Sequence, residues 1–367
     1  MGIAWKLLAQ PSLRLIDSER AHSATMAILS TFGESSLGQR VINRLYGAPE
    51  LPIEVFGKLF HHPLGLAAGF DKKAKALLSW SSLGFSWTEY GGITRYPQEG
   101  NPKPRMFRAN KNHALVNSMG FNNPGATKVR DELKIRKSNG RWPKSPVAAN
   151  IGRSKKVSNQ FAADDYCSTL NSLYDYADFF VLNISSPNTE KLRDLQELES
   201  LSNILNKCVN LRNNKEIYKP LLVKVSPDSN DDQILDTVAE IKKHKLDGIV
   251  ATNTTITRPV PLSTQSRKAF SNTGGLSGRP LHNRSIEVID LIYQETDGNL
   301  PIVGVGGIES KETAWNAITS GASLIQLYSA LVFNGPSVAS SIVKGLKKNT
   351  KENNFSSISE AIGYKHI

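Results

Sequence analysis

The chain has 367 residues, 39% hydrophobic and 21% charged, which suits a soluble fold with a large core, and no apolar run reaches the length of a membrane span. Its 45 Lys and Arg against 33 Asp and Glu give a formal charge of +12. That excess is spread out, with no aromatic-interleaved basic motif and no zinc-ligand spacing, so small anions or an acidic lipid surface are the expected partners, not nucleic acid, and no metal is expected.

Residues 1–50 carry short helical patterns punctuated by Pro11, Gly33 and Gly47, without a strand signal, and are expected to form a separate helical unit. The segment 3–8 mixes Trp5 with apolar residues and Lys6, and the segment 18–29 sets Ala21, Met26 and Leu29 among polar residues. Helices of this kind lie on a bilayer surface or dock against a larger domain, and both readings stay open. Gly2 is followed by lysine at position 6, which does not fit a myristoylation signal, and no signal-peptide or transit-like segment stands ahead of the unit.

From residue 51 to 367 a single larger domain is expected. Short apolar runs alternate there with longer amphipathic segments, the pattern of βα units. Eight candidate strands fall at residues 64–70, 87–94, 147–151, 179–184, 221–225, 248–252, 302–305 and 324–327. Eight units in unbroken series predict an α/β fold, a (β/α)8 TIM barrel with a small N-terminal helical extension. Two long connections, 95–123 and 254–281, interrupt the rhythm and read as lids or binding loops. Cys167 and Cys208 stand alone in helical segments and read as reduced structural thiols.

In such a barrel the chemistry gathers at the carboxyl ends of the strands, and the polar residues fall there. The first strand ends in Gly69-Phe70-Asp71-Lys72, the second in Gly91-Gly92-Ile93-Thr94, the third in Asn150, the fifth in Lys224 and the sixth in Thr252-Asn253-Thr254. The fourth opens into Asn183-Ile184-Ser185-Ser186-Pro187-Asn188-Thr189. Pro187 holds Ser186 away from helical angles, which lets Asn183, Ser186 and Asn188 converge. Gly304-Val305-Gly306-Gly307 and Tyr328-Ser329 end the last two strands, where glycine backbone can approach a phosphate. Lys72 and Lys224 read as anion binders, since their neighbours are Asn, Thr and Ser and not the proton shuttle that a Schiff-base lysine needs. Asn117, Asn183, Asn188 and Asn253 either cap turns one by one or together suit a planar ring with alternating N–H and C=O groups, such as a pyrimidine.

Several ordered motifs carry a resemblance that spans nearly the whole chain. They include Asp17-Ser18-Glu19-Arg20-Ala21-His22, Leu66-Ala67-Ala68-Gly69-Phe70-Asp71-Lys72, Asn101-Pro102-Lys103-Pro104-Arg105-Met106-Phe107-Arg108, and Met119-Gly120-Phe121-Asn122-Asn123. Further on stand Leu192-Arg193-Asp194-Leu195-Gln196 after the Asn183 run, Gly274-Gly275-Leu276-Ser277-Gly278-Arg279-Pro280-Leu281, and Gln326-Leu327-Tyr328-Ser329. The chain resembles the dihydroorotate dehydrogenases of the membrane-associated, quinone-dependent class 2. That resemblance implies FMN-dependent oxidation of dihydroorotate to orotate, in de novo pyrimidine biosynthesis, with a membrane quinone (ubiquinone or menaquinone) as electron acceptor. It implies flavin contacts from Ala68, Gly69, Phe70, Asp71, Lys72, Gly92, Asn150, Asn183, Lys224, Thr252, Gly278, Gly307, Tyr328 and Ser329. It implies substrate contacts from Lys72, Asn117, Ser118, Met119, Gly120, Phe121, Asn183, Asn188, Asn253 and Thr254, and Ser186 as the catalytic base in place of the cysteine of class 1. His22, Arg108 and Tyr328 are its expected quinone contacts, and residues 1–50 its membrane and quinone-access unit. Peripheral association with the cytoplasmic side of a bacterial inner membrane follows from the same resemblance together with the missing transit peptide and anchor.

The sequence departs from the family pattern at four places. Gly92 stands where Ser or Thr is usual, Ser118 where Arg is usual, Arg95 where Pro often follows the threonine, and Glu190-Lys191 where a Pro-Gly or Ala-Gly pair is common. The flavin contact at Gly92, the packing around Ser118 and the flexibility of the loop after Thr189 are the properties these changes bear on. Two other functions compete: another FMN-dependent barrel acting on a pyrimidine-like ring with a soluble acceptor, and an anion-binding barrel without redox chemistry.

Overall fold

The computed structural model describes residues 16–367; the amphipathic segment 3–8 lies outside them. Helices α1 (Ser18–Thr31) and α2 (Ser36–Tyr46) come first, joined by a tight turn at Phe32–Glu34. Asp17 starts α1 by accepting from the backbone N–H groups of Glu19 and Arg20, which leaves fewer unpaired donors at that end. A hairpin of β1 (Ile53–Val55) and β2 (Lys58–Phe60) follows, and the buried Phe60 lays its ring against Trp87 and Phe179.

The chain then runs through β3 (Leu64–Leu66), β4 (Trp87–Ile93), β5 (Met106–Ala109), β6 (Ala114–Asn117), β7 (Val147–Ile151), β8 (Phe179–Asn183), β9 (Leu221–Lys224), β10 (Gly248–Ala251), β11 (Gly275–Gly278), β12 (Ile302–Val305) and β13 (Ala322–Leu327). Eight of these close a parallel barrel in the order β3, β4, β7, β8, β9, β10, β12, β13, and β13 returns to pair with β3. They are the eight strands expected from the sequence. Almost every barrel-strand residue is buried, which is why they read as continuous apolar runs and not as alternating ones. The observed strands stop up to four residues short of the predicted ends where the backbone turns into the mouth: β3 ends at Leu66, before Gly69 takes φ +90°.

The two long connections do not remain loops. They supply β5, β6 and β11, which form a three-stranded antiparallel sheet with its own small core of Ala109, Ala114, Val116, Ala269 and Leu276. Asn117 pairs with Gly275 in this sheet, so the two connections form one rim over the mouth.

The amino-terminal helices dock on the barrel through α3 (Leu77–Ser82) and α4 (Ala126–Ser138). Leu29 and Ile42 join the main core, and Ser79 Oγ donates to the carbonyl of Leu29 at 2.7 Å. The buried Glu34 accepts from Leu78 N–H at 3.0 Å and pairs with the Arg136 guanidinium. These helices leave Ile28, Phe32, Leu37, Val41 and Leu45 exposed, the last four spaced along one stretch of 14 residues, and all but Leu37 line a cavity between the helices and the barrel. Cys167 and Cys208, expected to stand alone, lie side by side on α5 (Ala162–Leu173) and α6 (Leu198–Asn213) with their sulfurs 3.8 Å apart as free thiols. Their neighbourhood depends on helix packing, which their separation in sequence could not reveal.

Candidate active site

Most of the residues expected in the site line one cavity of about 140 Å³ at the carboxyl ends of the barrel strands. From the loops after β3 and β4 come Ala68, Gly69, Lys72 and Gly92; from the end of β6 and the segment after it, Asn117, Met119, Gly120 and Phe121. Asn150, Asn183, Ser186, Asn188, Lys224, Thr252, Asn253 and Thr254 follow from the next four strands. Gly278, Gly307, Tyr328 and Ser329 complete the wall.

Five others lie elsewhere. Asp71 turns its carboxylate to the backbone N–H groups of Lys75 and Ala76, both at 2.9 Å, just ahead of α3, and to the Trp80 indole within it at 3.1 Å. Phe70 packs its ring between Trp80 and Tyr328. Ser118 sits behind the wall, its N–H donating to the Arg105 carbonyl at 2.9 Å and its carbonyl accepting from Asn101 Nδ2 at 3.0 Å. His22 and Arg108 line a second cavity. Ser277 and Gln326, without an expected role, also line the mouth; each lies within a motif that carries the family resemblance, which is the signal that marks them.

The four asparagines form two bonded pairs, Asn117 with Asn188 and Asn183 with Asn253. Asn188 Nδ2 donates to Asn117 Oδ1 at 3.1 Å, and Asn188 Oδ1 accepts from Gly275 N–H at 3.1 Å, tying the loop after β8 to the rim sheet. Asn253 Nδ2 donates to Asn183 Oδ1 and to Ser185 Oγ, both at 3.0 Å. Only Asn253 makes a local backbone bond of the turn-capping kind, from Thr254 N–H at 2.8 Å. Ser186 Oγ accepts from the N–H of Asn188 at 3.3 Å.

The loop beyond Ser186 is pinned at its carbonyls. Arg153 donates to the Glu190 carbonyl at 2.7 Å and Asn159 Nδ2 to that of Lys191 at 2.9 Å. Arg193 holds the carbonyls of Ser185 and Thr254 and pairs with Asp228 at 2.8 Å. Lys191 takes φ +53°, a left-handed conformation in which a glycine would be unstrained, so the departure from Gly at that position carries a local cost. At Gly92 a Cβ would come within 2.6 Å of the Phe121 ring, so Phe121 fills the space that a Ser or Thr side chain would need.

Burial sets the electrostatics. It pulls the Lys72 ammonium down to about 8, a shift that the nearby Glu19 carboxylate opposes. Burial also lowers Lys224, with Glu89 acting against it, and pushes the Tyr328 phenol up to about 12. Three buried polar atoms on the cavity wall have no partner among the described residues: Thr254 Oγ1, Ser277 Oγ and Gln326 Oε1. Such atoms fit a bound group with its own donors and acceptors. At Gly278 and Gly307, with φ +108° and +65°, a Cβ would strike the His113 carbonyl oxygen at 2.1 Å and the His282 nitrogen at 2.7 Å, so the glycine backbone itself forms that part of the wall, as a phosphate cradle requires.

The second cavity, about 390 Å³, lies under α1 and α2 and is almost wholly apolar. Ile28, Leu29, Val41, Ile42 and Leu45 wall it on one side and Phe70, Leu331 and Pro336 on the other. His22 stacks edge-on to Phe70 at 5.1 Å, and burial together with the Lys72 charge lowers its imidazole to about 4, which keeps it neutral at pH 7. The Arg108 guanidinium donates to the carbonyl of Ile16. Tyr328 lines both cavities. Among the described residues no helix is long and apolar enough to cross a membrane.

The family model described as dihydroorotate dehydrogenase matches residues 50–349. A protein of Gloeobacter violaceus named dihydroorotate dehydrogenase (quinone) is 42% identical over 360 residues, covering 97% of this chain and 98% of its own length. One of the same name from Natronomonas pharaonis is 41% identical over 357 residues, with coverage of 97% and 98%. The crystal structure of Eimeria tenella DHODH in complex with ferulenol superposes with a TM-score of 0.86 at 34% identity, covering 95% of this chain and 96% of that one.

Proposed function

Because this chain belongs to the dihydroorotate dehydrogenase family, we propose that it oxidises dihydroorotate to orotate in de novo pyrimidine biosynthesis and passes the electrons to a quinone, as a flavoprotein oxidoreductase. The observation that carries this reading is the convergence of Ser186 with Lys72 and two hydrogen-bonded pairs of asparagines on one cavity wall.

FMN is the flavin this cavity fits. Ala68, Gly69, Lys72, Asn150, Asn183, Lys224 and Thr252 would hold its ring and side chain, and Gly278, Gly307, Tyr328 and Ser329 its phosphate end. When bound, the flavin supplies the acceptor for the hydride that leaves C6 of dihydroorotate. Lys72, as a cation, draws in the substrate carboxylate. Asn117, Asn183, Asn188 and Asn253 present donors and acceptors to the ring's N–H and C=O groups. Ser186 takes the proton from C5 and, as a weak base, must hand its own proton on. The unpartnered hydroxyl of Thr254 lies on the same wall and is suited to relay it.

The apolar cavity under α1 and α2 receives the quinone, with His22, Arg108 and Tyr328 as its polar contacts. The exposed apolar surface of those helices, with Arg40 and Arg44 on α2, suits peripheral attachment to an acidic bilayer, on the cytoplasmic side of an inner membrane. Residues 1–50 thus act as the membrane and quinone-access unit and 51–367 as the catalytic barrel.

Anaerobic addition of dihydroorotate should bleach the visible flavin spectrum, and decylubiquinone should restore it much faster than fumarate or NAD. Preference for a soluble acceptor would remove the quinone assignment, and a protein that takes up no flavin on reconstitution would remove the redox reading altogether.

A further inference from the structure

The orientation of the asparagine wall traces to a residue that does not line the cavity. Glu89 lies in the middle of β4, with no exposed surface. One carboxylate oxygen accepts from Asn150 Nδ2 at 2.7 Å, and the other accepts from Gln326 Nε2. An amide can face a neighbour with either end, whereas a carboxylate only accepts, so both amides must turn their NH2 groups toward Glu89.

That choice propagates through the wall. Asn150 has its oxygen left for Asn183, whose Nδ2 donates to it at 3.0 Å. Asn183 in turn has its oxygen left for Asn253 Nδ2, again at 3.0 Å. The series begins at its only member without a donor, and reversing any amide along it sets two oxygens or two NH2 groups against each other. In the other direction, Gln326 has given its NH2 to Glu89, and its unpartnered Oε1 remains on the cavity wall as an acceptor. A buried carboxylate is costly, and the nearby buried Lys224, whose charged form Glu89 favours, offsets part of that cost.

We propose that Glu89 is a positioning residue that sets the hydrogen-bond polarity of the amide wall, and with it the order of donors and acceptors that a ring must present to bind. The proposal rests on the reading of this cavity as a flavin and orotate site. It assigns to one buried side chain the orientation of Asn150, Asn183, Asn253 and Gln326 together.

Orotate binding to the flavin-loaded enzyme, followed by its perturbation of the flavin absorbance, provides the test. In Glu89→Gln the isosteric amide can accept from only one neighbour, so orotate affinity should fall by roughly tenfold or more, with KM for dihydroorotate rising more than kcat falls. The exchange variant Glu89→Gln/Gln326→Glu keeps one carboxylate and one amide. Its new amide at position 89 must donate to the new carboxylate at position 326 and offer its oxygen to Asn150, so the original polarity returns, and affinity should recover to within about threefold of wild type. Unchanged affinity in Glu89→Gln, or an exchange variant as weak as the single one, overturns the proposal. Neutron diffraction from wild-type crystals checks it without a variant: deuterons of Asn150 Nδ2 or Gln326 Nε2 pointing away from Glu89 overturn it as well. Wild-type enzyme that fails to bind orotate would instead reject the reading of the site, so the two failures are distinguishable.

Discussion

The barrel mouth and the cavity beneath the amino-terminal helices share the ring of Tyr328 and differ in almost everything else. The mouth is built from strand ends, and its side chains are held in place by bonds to one another before any ligand arrives. The second cavity is built from helix faces, and its walls offer shape and apolar area with a neutral imidazole and one guanidinium at the edge. A polar wall rejects a ring that leaves its groups unpaired, whereas an apolar wall discriminates only weakly between similar shapes. On the proposed reading, chemical selectivity lies with the barrel mouth and tolerance with the apolar cavity under the amino-terminal helices.

The largest expected effect separates the two regions most sharply. Ser186→Ala should slow flavin reduction by dihydroorotate by about 10²–10⁴-fold in anaerobic stopped-flow mixing, with orotate binding and reoxidation by quinone kept. Unchanged reduction would exclude Ser186 as the base. The complementary variant, Thr25→Phe, narrows the apolar cavity and should lower kcat/KM for quinone by roughly tenfold to a hundredfold while flavin reduction stays at the wild-type rate. A matching loss in flavin reduction would show that the two cavities are not separable.

A smaller effect concerns a charge on α1 that acts on the mouth. Lys72 lies in the mouth, and Glu19 of α1 opposes the fall of its ammonium to about 8. With Lys72 as the proposed partner of the substrate carboxylate, orotate affinity should be highest below about pH 8 and decline as pH rises through that value. Glu19→Gln removes the opposing charge, and the decline should then begin at lower pH. A titration that does not move would disconnect α1 from the mouth. The smallest effect is local: Lys191→Gly relieves the left-handed backbone and should stabilise the protein by about 1 kcal/mol in a denaturant titration, with turnover unchanged.

The eight barrel strands were legible because burial on both faces makes each a short apolar run, and the runs at 147–151 and 302–305 coincide with the observed strands. The rim sheet was not. The partner of Asn117 is Gly275, and four-residue strands containing two glycines, as in β11, carry almost no local signal. The polar mouth could be read because amides and hydroxyls at strand ends are conspicuous. The apolar cavity could not be outlined in the same way, since Leu29, Phe70 and Leu331 look like ordinary core residues until the helices are placed. Glu89 shows a third limit: it lies within the strand expected at 87–94, yet only the fold reveals the two amides beside it.

The barrel closes where β13, near the end of the chain, pairs with β3, near its beginning. During synthesis, then, no partial chain possesses the mouth: with β13 still inside the ribosome the ring is open, and Gln326, Tyr328 and Ser329 have yet to arrive. Flavin uptake becomes a report of finished translation, and a nascent chain stalled before that strand would emerge colourless however well its earlier parts had folded.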